Sequence, residues 1–159
     1  MSRRDEIRMS DEEVLAFLDE ERTVVCATNG RRGWPHLMPL WFVLRPTGED
    51  GAPQLWAWTF AKSQKTKNLE RDPRATLQVE AGEEYPMLRG VMFECDVVVH
   101  RDVDTIREMA LELFDRYGGV DDGVRAMIDK QAPKRVALQF VERDRATWDH
   151  RKLGSGSRR

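Results

Sequence analysis

The chain has 159 residues, 40% of them apolar and 34% charged, with a formal net charge of −2. That is enough for one domain with a sizeable core, and the near-neutral balance excludes a global field that would draw nucleic acid or an anionic membrane surface. Cys26 and Cys95 lie in apolar strand-like runs with no Cys-x-x-Cys or Cys/His spacing, which excludes a zinc site by pattern.

In chain order, "MSRRDEIRMS" is basic but has no apolar h-region after it, and no apolar run reaches the roughly 18 residues a membrane helix needs. The expected compartment is therefore reducing and cytoplasmic. Ser10 and Glu13 form a capping-box pattern ahead of Val14, Leu15 and Leu18, which predicts a helix. Strands are predicted at 23–28 and 36–44, joined by the turn residues Asn29-Gly30, Gly33 and Pro35. Pro39 lacks a backbone donor, so the second strand needs a bulge or an edge there. A third strand is predicted at 54–61, a short helix over about 63–72 stopped by Pro73, a fourth strand at 74–81 and a fifth at 89–100. Residues 104–117 carry the clearest helical stripe, Ile106, Met109, Ala110, Leu113, Phe114 and Tyr117, ended by Gly118-Gly119. "DDGVRAMIDK" reads as a further helix, 135–142 as a sixth strand, and "GSGSRR" at 154–159 as a flexible tail. Six short strands with hairpin-like turns predict a mainly β fold, an antiparallel barrel or sandwich with flanking helices.

Three groups of residues bear on chemistry. Residues 62–74 hold five Lys/Arg against two acids, although the chain as a whole is slightly acidic. Lys62, Ser63 and Lys65 fall where a strand gives way to the first turn of a helix, whose free N–H groups and positive dipole end suit an anion. By spacing Lys62 and Lys65 share one face, with Leu69 as the inward anchor. Composition alone also fits a solvated basic helix. Trp41-Phe42 with Trp56 and Trp58 offers a wall for a flat cofactor, or simply barrel core. His36, His100 and His150 do not cluster, and no nucleophile or facing acid/base pair stands out. Any catalysis would then be carried by a cofactor.

Four segments, "GWPHLMPLWFVL", "TFAKSQKTKNLERDPRATLQVE", "YPMLRGVMFECDV" and "TWDHRKL", occur in this order. Together, over about 12–153, they resemble the flavin/deazaflavin oxidoreductases of the pyridoxamine 5′-phosphate oxidase-like split-barrel superfamily, in particular its actinobacterial branch associated with coenzyme F420. The most specific part is Lys62-x-x-Lys65-x-x-Asn68-Leu69 followed by Arg71-Asp72-Pro73, which is similar to the family's phosphate-binding element. The resemblance implies a single six-stranded antiparallel split β-barrel over 1–153, and a homodimer with a cofactor in each of two clefts between the subunits. It implies that Lys62, Ser63 and Lys65 hold the cofactor phosphate, with Lys67 and Asn68 close by or structural. It implies that Pro39, Leu40, Trp41 and Phe42 lie along the flavin or deazaflavin ring, mostly through backbone groups, and that Thr59 approaches the ribityl chain. Trp148 and His150 would reach over the cleft as substrate contacts, from the partner subunit.

The segment "TWDHRKL" lacks the arginine-containing motif with which authentic pyridoxamine phosphate oxidases grip substrate phosphate. The expected activity is therefore F420-dependent hydride transfer to an electron-poor small molecule of the enone, quinone or tetrapyrrole class. The alternatives are an FMN-dependent oxidoreductase and a protein that binds flavin, deazaflavin or haem without turnover. F420 adds an acidic lactyl-oligoglutamate tail to the ribityl phosphate, and Arg31, Arg32, Lys67 and Arg71 are the cations available for it.

Overall fold

The computed structural model describes residues 2–154. From residue 155 onward the expected flexible tail lies outside the described residues, while Gly154 itself closes a 3-10 turn, His150–Gly154. Two helices open the chain, α1 (Arg3–Glu6) and α2 (Asp11–Glu20), each started by a serine capping box. The strands are β1 (Val24–Asn29), β2 (Pro35–Leu40), β3 (Val43–Arg45), β4 (Gln54–Phe60), β5 (Arg74–Ala81), β6 (Arg89–His100) and β7 (Arg135–Asp149). Helix α3 (Gln64–Arg71) links β4 to β5, and α4 (Val103–Tyr117) and α5 (Asp122–Gln131) lie between β6 and β7. Among the described residues no helix is long and apolar enough to cross a membrane.

All seven strands form one sheet in the order β2-β1-β5-β6-β7-β4-β3, with every pairing antiparallel. The expected count of six is corrected to seven. The run 36–44 breaks at Trp41-Phe42, and its two halves lie on opposite edges of the sheet. Flat, those edges would stand about 29 Å apart at ~4.8 Å per strand. The three Cα steps from Leu40 to Val43 reach only about 11 Å. The sheet must therefore curl until its edges nearly meet, and β2 becomes the outermost strand where Pro39 is tolerated.

Curling divides the core in two. One face gathers Cys26, Leu55, Leu77, Val91 and Phe140 under Phe17 and Leu18 of α2. The other packs Trp56 and Ala137 against Ile106, Met109 and Leu113 of α4. Strand β4 feeds both, with Leu55 and Ala57 on the first face and Trp56 and Trp58 on the second. The tryptophan pair is thus packing surface for α4.

The last strand runs seven residues past its expected end at 142. Its charged second half, from Glu142 to Arg145, pairs only with the long β6 through a register shift at Glu94/Cys95. That half lies open to solvent, so it carries no apolar signal.

Candidate functional site

Helix α3 starts because Ser63 caps it. The Ser63 hydroxyl accepts the Thr66 N–H at 3.2 Å, Thr59 donates to it at 3.4 Å, and the Thr66 hydroxyl donates to the Phe60 carbonyl at 3.0 Å. Asp72 and Pro73 end the helix. Lys62 precedes the cap and is exposed, whereas Lys65 is only 4% exposed. The expectation of one shared, solvent-facing lysine face is corrected. Because Ser63 begins the helix, Lys65 falls on the same buried side as Thr66, Asn68 and Leu69.

Lys65 lies beside Cys26 of β1. Burial pushes its pKa down. Burial also pushes the Cys26 thiol up to about 12, so it stays neutral and offers Lys65 no counter-charge. Among the described residues no carboxylate pairs with this ammonium. A buried cation without an anion is costly unless something supplies one.

Helix α3 forms one wall of a cleft of about 670 Å³. Gln64, Lys67, Asn68 and Arg71 line it from the helix, and Arg31, Arg32, Trp34, Pro35 and His36 face them from the β1–β2 turn and the start of β2. Gly33 makes the turn with φ +83°, a conformation other residues rarely adopt. The turn is tied to the helix. The Asn29 amide donates to Asp72 at 2.8 Å, Arg71 donates to the Asn29 carbonyl, and Asn68 donates to Thr28 at 3.0 Å. The Arg74 and Asn29 hydrogen bonds hold the Asp72 carboxyl far below the usual carboxylate range. The cleft therefore has four cations and no acid among its ten lining residues. His36 also presents a buried Nδ1 that has no hydrogen-bond partner.

At the far end of β2 stands an aromatic platform. The Trp41 indole stacks on Tyr117 at 4.5 Å and 15°, meets Phe114 edge-on at 6.1 Å, and is still 49% exposed. Phe114 in turn meets Trp58 at 5.6 Å. Phe42 is fully buried, and α4 takes up both of its backbone groups. Its N–H donates to Tyr117 and its carbonyl accepts from Arg116. Of the stretch expected along a ring, Pro39, Leu40 and Trp41 remain at the surface or partly so, and Phe42 does not.

Trp148 and His150 lie elsewhere in the chain. Trp148 lies over Gly90, where an added Cβ would sit 2.3 Å from the indole. His150 hydrogen-bonds the Tyr85 carbonyl at 2.9 Å and packs against the Tyr85 ring. Neither lines the cleft, and β1, β5 and β6 stand between β7 and β2. Gly90→Val is expected to lift Trp148 from its seat and to cost about 1–3 kcal/mol in chemical denaturation, as overpacking does. A neutral result would mean that the indole is free to swing.

The family described as pyridoxamine 5′-phosphate oxidase matches residues 10–151. The chain belongs to that family. Among solved structures, the conserved hypothetical protein Rv2991 of Mycobacterium tuberculosis is 37% identical with a TM-score of 0.84, covering 97% of this chain and 93% of its own. An F420 reductase is 21% identical at a TM-score of 0.65, covering 86% and 98%. The haem storage protein HutZ of Vibrio cholerae is 16% identical at 0.64, covering 84% and 90%. Comparison with curated proteins finds no match. The last two likenesses speak to the split-barrel fold, which hosts more than one ligand chemistry.

Sequence reasoning misses the three residues that complete the site. In the sequence Tyr117 is one member of an apolar stripe, Arg116 carries no motif, and His36 is a lone histidine. The signal for Tyr117 is its hydroxyl at the end of an otherwise apolar face.

Proposed function

We propose that this protein is an F420-dependent oxidoreductase acting on an electron-poor small molecule of the enone, quinone or tetrapyrrole class. The observation that carries the reading is the order of features along β2. The aromatic platform at Trp41 is at one end, the Arg31/Arg32/Lys67/Arg71 cleft is at the other, and Lys65 lies beside Cys26, which pairs with Met38 midway along β2. Six strand residues space the ends by about 17 Å. A ligand with a planar ring, a phosphate and an acidic tail in that sequence matches the order. FMN ends at its phosphate and would leave the four cations of the cleft without a counter-charge.

Bound, the deazaflavin supplies the hydride. The chain's own residues bind and orient. Lys65 and Lys62 meet the phosphate, the cleft cations meet the tail carboxylates, and Trp41 with the Pro39–Leu40 backbone fixes the plane of the ring. Proximity and a dry aromatic wall account for the catalytic contribution expected of the protein. A carrier that holds the cofactor without turnover is the rival reading. It draws on the same lack of a nucleophile or acid/base pair, and turnover separates the two.

The site also calls for a second copy of the chain. Strand β2 is an unpaired edge; Leu37 on it is 58% exposed, and Trp34 just before it is 75% exposed. Such an edge invites a partner. A two-fold homodimer burying more than about 2,000 Å² in total would cover it and let Trp148 and His150 of the partner subunit reach the ring.

The test is to equilibrate the protein with F420 and with FMN, remove free ligand and record absorbance, at two ionic strengths. F420 is expected to remain bound, with an affinity that falls steeply as salt rises, because exposed charges are screened within about 10 Å at 0.1 M. FMN is expected to bind more weakly and with a shallower salt slope. Tighter FMN binding with equal slopes would remove the case for the deazaflavin.

A further inference from the structure

Helix α4 ends on two residues that grip the bend between β2 and β3. The Phe42 N–H donates to Tyr117 Oη at 3.0 Å, Arg116 donates to the Phe42 carbonyl at 2.7 Å, and Tyr117 Oη donates to the Arg22 carbonyl at 2.7 Å. Arg116 reaches on to the carbonyl of Glu21 at 2.8 Å, so the end of α2 is tied to the same knot. Trp41 and Phe42 belong to neither edge strand, so no neighbouring backbone fixes them. Buried backbone groups need partners, and for Phe42 the helix supplies both. The Tyr117 ring also backs the inner face of Trp41, leaving the outer face open.

We propose that Tyr117 is a positioning residue for the ring end of the cofactor site. It sets the height and tilt of the Trp41 open face, against which the planar group lies. The proposal rests on the deazaflavin reading but concerns residues that touch neither phosphate nor tail. Affinity is carried mainly by the cations 17 Å or so away along β2. Tyr117 governs orientation, and a misplacement of about 1 Å can cost on the order of 100-fold in rate. Its signature is a split, with the rate falling and affinity largely kept.

The experiment compares wild type, Tyr117→Phe and Tyr117→Leu as full-length protein. The readouts are hydrogen exchange at the Phe42 amide, the visible band of bound F420, its Kd, and the rate of hydride transfer from reduced F420 to the quinone menadione. Tyr117→Phe keeps the stacked ring and loses the hydroxyl. It is expected to speed Phe42 exchange, to leave Kd within about threefold, and to slow transfer by roughly 10- to 100-fold. Tyr117→Leu is expected to shift the visible band as well. Wild-type rate and band in both variants would overturn the proposal while leaving the cofactor reading intact. So would a rate loss matched by an equal loss of affinity. A wild type that retains no F420 would overturn the cofactor reading and this inference with it. If wild type binds F420 without turnover, a shifted band with faster Phe42 exchange supports the proposal, and an unshifted band overturns it.

Discussion

The Lys65→Met variant is expected to be more stable than wild type without cofactor and to lose most of its affinity for phosphate-bearing cofactors. Lys65 is buried, the ionisable group beside it is a thiol kept neutral by burial, and desolvation lowers its own pKa. Methionine fills similar volume without the charge, and relief of an uncompensated buried cation is worth about 1–3 kcal/mol. Each kcal/mol raises Tm by roughly 2–4 °C in a chain of this size. The pH dependence has a definite sign. A lysine whose folded pKa is depressed binds its proton more weakly in the folded state than in the unfolded one. The penalty is fully present below the folded pKa and shrinks as pH rises toward the ordinary lysine range. The advantage of Lys65→Met should therefore narrow between neutral and strongly alkaline pH. Bound phosphate reverses the balance by supplying the missing anion. Without that charge-assisted hydrogen bond, binding weakens by about 1.5–3 kcal/mol, roughly ten- to 150-fold in Kd. Denaturant melts with and without cofactor, at pH 7 and pH 10, read both effects. A destabilised variant would show that the cation is already compensated, and an unchanged Kd would show that no anion docks beside it.

Leu37→Glu is expected to split the proposed homodimer and to weaken cofactor binding more than tenfold. Leu37 pairs with Ala27 on β1, and its side chain faces solvent in the single chain. The substitution should therefore leave each subunit folded, with far-UV circular dichroism unchanged. A charge introduced on an apolar edge opposes association. Binding would fall because, in the proposed dimer, the cleft would lose the walls that the second chain supplies. A tenfold weakening corresponds to about 1.4 kcal/mol, which one well-packed interface side chain can account for. Light scattering at micromolar concentration with cofactor titration tests both parts. A monomeric wild type would sink the two-chain site, and so would a Leu37→Glu dimer with undiminished affinity.

Much of this is legible from local patterns. Ser10 and Glu13 announce α2, the stripe from Ile106 to Leu113 announces α4, and the alternation of Ala75, Leu77 and Val79 announces β5, each because the signal is local to one element. The four cations of the cleft are likewise visible as cations. Other features depend on distant partners. Whether Lys65 faces water or Cys26 depends on where the helix begins relative to β1, and a one-residue choice of cap decides it. The last strand extends through Glu142–Arg145 because β6 is long enough to pair with it, and a charged run carries no sign of that.

By itself, then, the amino-acid order determined a mainly β chain with its helices in place, a basic turn after the strand ending near Phe60, and membership of a family whose segments occur in sequence. Periodicity, caps and turn residues act over a few residues, so they can be read without knowing the fold. Only the tertiary structure decided that Trp41-Phe42 joins two opposite sheet edges, that Arg31, Arg32, Lys67 and Arg71 converge on one cleft, and that Tyr117 and Arg116 grip the bend. Each of these depends on how far the sheet curls. That curl is the summed twist of seven strands and the packing of α2 and α4 on its two faces, a property of residues far apart in the chain that meet only once it has folded.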